Sequence, residues 1–221
     1  MARDFEFTQL LRAYRKGIIN ETTFEQEMVR LEGGATGNGA DRGGFAAMGK
    51  TYPSEREAII AYLQRARTGE AAGARSLASW AAVCTTDCIR SSLRTIAERE
   101  AYHVRVMDQK LADLGVQSEM AQDPEMEKMV KMQSDSNTTD LEKLGRIVAS
   151  FPNPDEVVKP IRDFVELIKS DLDAKEMLAL WAEDEYSSLK WFLHAYQALG
   201  GTAQAAAAAP QMGMSAGAQS H

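Results

Sequence analysis

Histidine is scarce in this chain of 221 residues: there are three, and one of them, His221, is the last residue. Only His103 and His194 remain for chemistry, so sites built from several histidines are excluded unless subunits share them. Any metal site within one chain must lean on carboxylates, which suits iron or manganese better than a structural zinc. Cysteine is scarcer still. Two are too few for a disulfide framework, which points to a reducing, cytoplasmic setting. A basic excess is missing as well: 25 Lys and Arg face 32 Asp and Glu, a formal charge of −7, which argues against a protein that grips nucleic acid or anionic membrane. No apolar run approaches the ~20 residues of a membrane span. Arg3, Asp4 and Glu6 put charge where a signal peptide needs an apolar stretch, so none is expected. Nucleotide-binding loops, Ser/His/Asp arrangements, basic recognition helices and internal repeats of about 20–50 residues are absent too.

What is present is helical periodicity. β-branched alternation is rare, and apolar residues recur at three and four. Residues 1–32 read as a helical hairpin, with Phe5, Leu10, Leu11 and Tyr14 on the first helix and a stop near Gly17. Asn20 is an N-cap for the second helix, which carries Phe24, Met28 and Leu31, and Ile19 and Phe24 take the positions of a hydrophobic staple. About thirty residues cannot bury enough surface to stand alone, so the hairpin must pack on the main domain or on another copy of itself. The pattern Leu11, Gly17-Ile18-Ile19, Phe24, Leu31 resembles short bacterial oligomerisation modules, which implies a homo-oligomer. Residues 33–52 hold seven glycines and read as a mobile linker.

The main domain is expected over 53–200. Ser54 and Glu57 form a capping box that opens a helix to about Cys84, and a turn at Thr85-Thr86-Asp87 leads into a second helix stopped by Gly115. The polar, Met-rich stretch 116–137 reads as a crossover containing a short helix. Thr139 and Glu142 cap a helix ending near Ser150, and Asn153-Pro154 opens another. Apolar periodicity then runs from Ile161 to Leu199, with a corner at Ser170-Asp171 and a stop at Gly200-Gly201. The segment 201–221 contains no Lys, Arg, Asp or Glu and reads as a disordered tail.

Three glutamates stand in apolar rows. Glu100 has Leu93, Ile96, Val104 and Met107 on its helical stripe, while nearby Glu98 has Ser91, Arg94 and Arg105 and points to water. His103 follows one turn after Glu100, in the Glu-x-x-His spacing that lets both side chains bind one ion. Glu70 repeats the inward pattern among Leu63, Ala66, Ala74 and Leu77. It lies about 15 residues before the Thr85-Thr86 turn, and Glu100 lies about 15 after it, which at ~1.5 Å per residue sets both at one level. Glu185 is the third, among Leu178, Trp181, Leu189 and Phe192; Glu183 is a second choice. Buried unpaired carboxylates are costly, and a metal ion compensates that cost. The alternative is a metal-free network, with Glu70 paired to Arg105 or another cation and His103 a satisfied core residue.

Gly69-Glu70-Ala71-Ala72 followed by Ile96-Ala97-Glu98-Arg99-Glu100-Ala101-Tyr102-His103 resembles the ferritin-like superfamily, most closely its rubrerythrin-like branch, over residues 70–114. The periodicity makes the fold all-α with an N-terminal helical hairpin, and the resemblance implies that the main domain is a ferritin-like four-helix bundle. It also implies a carboxylate-bridged di-iron site and an oxidase, peroxidase or iron-handling activity. Glu70, Glu100 and His103 match first-half ligands and Glu185 matches a lone second-half glutamate. The pattern departs at Ser188, where a second Glu-x-x-His needs histidine; Glu166 and Glu156 are weak options for a fourth glutamate. No rubredoxin-type cysteine module is present. The resulting expectation is a site for iron or manganese that is reduced, mononuclear or shared between chains. The competing one is a metal-free helical scaffold.

Cys84 and Cys88 flank a turn, as a redox pair or simply as small residues. Tyr102 and Tyr186 neighbour the carboxylates and are expected in core packing or beside a metal. Trp80, Trp181 and Trp191 read as core, and His194 as a cap or surface residue. Met120, Met126, Met129 and Met132 offer a partner surface or loose packing.

Overall fold

A computed structural model describes residues 2–32, 44–118, 124–202 and 205. These form eight helices and one two-stranded sheet. In chain order they are α1 (Ala2–Arg15), α2 (Glu21–Glu32), β1 (Phe45–Ala47), β2 (Lys50–Tyr52), α3 (Glu55–Val83), α4 (Asp87–Asp113), α5 (Pro124–Gln133), α6 (Asp140–Ser150), α7 (Pro154–Leu167) and α8 (Leu172–Ala198). The chain is thus mainly helical, as its periodicity predicts. The 201–221 tail, apart from 201, 202 and 205, lies outside the described residues, as do 33–43 of the expected linker.

Local signals explain the helix boundaries. Ser54 accepts a hydrogen bond from the Glu57 amide, and Thr139 and Glu142 form a reciprocal capping box. Asn153 caps α7 with Pro154 in its first turn, and Asp171 caps α8. Gly115 (φ 72°) and Gly200 (φ 87°) end α4 and α8 in the left-handed region. One segment departs from expectation. Residues 45–52 are not linker but an antiparallel hairpin, pairing Phe45 with Tyr52 and Ala47 with Lys50. Met48 (φ 54°) and Gly49 (φ 70°) supply the two positive φ angles of a tight turn, and Ala47, Phe45, Met48 and Tyr52 pack onto the core.

Helices α3 and α4 form an antiparallel hairpin, and α6 and α7 pack in succession along α8. The core divides into two apolar clusters. One, distant from the Thr85-Thr86 turn, gathers Ile59, Leu63, Met107, Leu111, Phe164 and Leu178. The other, near the turn, gathers Trp80, Leu93, Ile96, Leu144, Phe192 and Tyr196. Between them, at the waist of α3, α4 and α8, the facing residues are polar.

Two polar anchors fix the ends. At one end buried Asp140 accepts from Trp80 Nε1 (2.8 Å) and from the amides and hydroxyls of Thr85 and Thr86, tying α6 to the α3–α4 turn. At the other, the Glu55 carboxylate accepts from the amides of Lys169, Ser170 and Asp171 at 2.8–3.0 Å, and Lys110 Nζ donates to Asp171 at 2.6 Å. These bonds set α8 against α3 and α4. The N-terminal hairpin is held by a Tyr14–Phe24 stack (4.6 Å), and Asn20 caps α2 by accepting from the Thr23 amide. It pairs with the body through Arg12 with Asp113 (3.3 Å) and Lys16 with Asp173 (2.7 Å).

Candidate metal centre

Three helices each bring acidic or basic side chains to the waist. Helix α3 supplies Glu70 and, one turn on, Gly73. Helix α4 supplies Arg99, Glu100 and His103. Helix α8 supplies Trp181, Asp184, Glu185 and Ser188, spaced so that all four share one helical face. Because α3 and α4 run antiparallel about the turn, His103 meets Glu70 and Glu100 meets Gly73.

Glu70 and His103 are both buried. His103 Nδ1 lies 2.8 Å from Glu70 Oε2, and its Nε2 lies 3.1 Å from Asp184 Oδ2. Carboxylates on both ring nitrogens favour the imidazolium, which donates at each. Burial lowers the His103 pKa, but the Glu70 and Asp184 bonds and the nearby Glu185 charge outweigh it, and the net shift is upward. Trp181 Nε1 donates to the other Glu70 oxygen at 3.0 Å. The Glu70 carboxylate is thereby held on both oxygens.

Glu185 completes the convergence. One donor atom from each of Glu70, His103 and Glu185 lies within 4.8 Å of the others, the one such grouping among the described residues. Glu185 Oε1 is buried and has no hydrogen-bond partner. Burial and the Glu70 charge push the Glu185 carboxyl up to about 8. Glu100 lies beside this trio rather than in it. Its carboxylate rests on the bare backbone face at Gly73, where a Cβ would come within 2.9 Å of the Glu100 carboxyl carbon. Burial, then the charges of Glu70 and Glu185, hold the Glu100 pKa well above the ordinary carboxylate range. Arg99 closes one side: it donates to the Ser188 hydroxyl, and its guanidinium lies 3.6 Å from Asp184 Oδ1.

All four sequence-derived candidates therefore stand at the waist, with Glu70, His103 and Glu185 converging and Glu100 adjoining them. The second choices do not. Glu183 is exposed and paired with Arg162 (2.8 Å), and Glu156 and Glu166 lie on the exposed face of α7. Glu70 is not paired with Arg105, which instead stacks over Tyr102. Tyr102 is 55% exposed rather than core, and Tyr186 lies under Arg162 and Lys190. Trp181 is more than packing, since its N–H serves Glu70. Cys84 is buried with its thiol pKa raised by burial, opposite to an activated thiol, and Cys88 is exposed. His194 is exposed, as expected. Met129, Met126 and Met132 pack into the core, while Met120 lies outside the described residues.

No protein-family model, no curated protein and no solved structure matches this chain.

Sequence reasoning missed Asp184, Trp181, Arg99 and Gly73. A signal for two of them existed: Trp181, Asp184 and Ser188 recur at three and four with Glu185, on one α8 face. Arg99 and Gly73 carried none, since their roles follow from inter-helix register.

Proposed function

We propose that this chain is a ferritin-like, metal-binding helical protein whose waist holds iron or manganese through Glu70, His103 and Glu185, with Glu100 adjoining. The observation that carries this reading is the convergence of three donors from three helices around a buried Glu185 oxygen that has no partner. A buried carboxylate oxygen without a donor is costly, and a cation supplies what it lacks. Two carboxylates and one imidazole form a donor set suited to iron or manganese. The packing of α3 with α4, and of α6 and α7 along α8, supports a bundle in which two short helices replace one long one.

Bound iron would supply one-electron chemistry with oxygen or peroxide, the basis of an oxidase, peroxidase or iron-handling activity. The residues of the chain have separate tasks around it. Trp181 orients Glu70 by donating to one of its oxygens. Asp184 or Glu70 stays on the His103 nitrogen that does not bind metal, fixing the ring. Glu185, whose carboxyl is pushed up to about 8, releases its proton as metal enters, and burial favours the neutral form of Glu100 in the same sense. The two apolar clusters above and below keep bulk water from the ion. Access runs past Asp184, whose side chain is 43% exposed.

A metal-free scaffold is the second reading, favoured by the satisfaction of both His103 nitrogens within the chain. Metal analysis of protein from iron-replete cells separates them. The metal reading predicts bound iron or manganese that falls in Glu70→Ala and His103→Ala; metal near zero, unchanged by either substitution, supports the scaffold.

A further inference from the structure

We propose that the Arg99 guanidinium is a fixed cation built into this site, so that the cluster takes one divalent ion per chain. The inference rests on the metal reading above and specifies it. Arg99 neighbours Glu98, which is exposed, yet it turns toward the waist rather than to water. It donates to Ser188 Oγ, approaches Asp184 Oδ1 at 3.6 Å, and its Nε is buried without a hydrogen-bond partner. Leaving a guanidinium nitrogen so placed costs free energy, which the surrounding negative field offsets.

Occupancy limits the site to one ion. Arginine does not surrender its proton, so the cation that Arg99 places beside Asp184 is permanent. Asp184 and Ser188 carry the other side-chain oxygens on the α8 face that presents Glu185, and Arg99 engages both. Of the waist carboxylates only Glu100 is then left outside the converging trio and the Arg99 pair, and one carboxylate is a poor site for a second ion.

The full chain, stripped of metal, is titrated with Mn²⁺ alone, following heat and the electron paramagnetic resonance spectrum. Wild type is expected to bind one ion per chain with the spectrum of an isolated Mn²⁺. Arg99→Gln is expected to bind two, with the altered spectrum of neighbouring, spin-coupled ions. Arg99→Lys keeps the charge and is expected to bind one. Two ions on wild type, or still one on folded Arg99→Gln, overturn the role of Arg99 while leaving the metal site standing. No ion on wild type overturns both. If Arg99→Gln fails to fold, two ions on either wild type or Arg99→Lys still refutes the proposal.

Discussion

At Gly73, helix propensity and the metal site pull in opposite directions. Alanine is favoured over glycine in a helix interior by about 1 kcal/mol, yet a Cβ here collides with the Glu100 carboxylate. Gly73→Ala is therefore expected to keep helical content, to lower the melting temperature because displacing a buried carboxylate costs about 1–3 kcal/mol, and to weaken Mn²⁺ binding at least several-fold. Circular dichroism and calorimetric titration on one preparation check both halves. Trp181→Phe is the complementary case. It keeps a ring against Tyr62 but removes the donor to a buried carboxylate, for an expected loss of about 1–3 kcal/mol in urea unfolding of the metal-free protein. At this scale the sequence was legible where a residue contradicted its own helical stripe. Glu70, Glu100 and Glu185 are polar in apolar rows, so a single helix reveals them. Gly73 and Arg99 obey ordinary surface chemistry in their own helices, and only the approach of a second helix gives them a role.

Among the elements, the short helix α6 depends most on one side chain. Asp140 gathers five donors from Trp80, Thr85 and Thr86, and these hold its carboxyl at about 2 against the opposing effect of burial. Its pKa is depressed from 3.8, so the stability it lends is present above pH 3.8 and lost as pH falls through about 2. Asp140→Ala leaves Trp80 Nε1 and two amides without their acceptor. An expected cost of about 3 kcal/mol or more, the range of a broken buried network, is read from chemical denaturation. Helix limits were largely visible beforehand because caps are local: Ser54, Thr139, Asn153 and the glycines at 115 and 200 act on their own neighbours. The strands at 45–52 were not visible. Glycine density masked a two-residue turn, and the hairpin is secured by the non-local packing of Ala47 and Tyr52 on the core.

For the whole molecule, proton binding at the waist links stability to pH. The unfolded chain releases the Glu185 proton near pH 4.5, whereas the folded chain holds it to about 8. Between those values the folded state carries more protons, so the stability of the metal-free protein falls as pH rises from about 4.5 to 8. His103 acts in the same direction: its contribution is complete below pH 6.5 and lost as pH climbs through its raised folded value. Bound Mn²⁺ takes the place of these protons and is expected to reverse the slope, since metal competes better as protons leave. Thermal melts across this range, with and without Mn²⁺, check the sign. Crystals grown with Mn²⁺ at pH 8 and measured for anomalous scattering test the central claim most directly. A peak bounded by Glu70, His103 and Glu185, absent in His103→Ala, is the result predicted; a waist with no anomalous peak in wild-type crystals would contradict it.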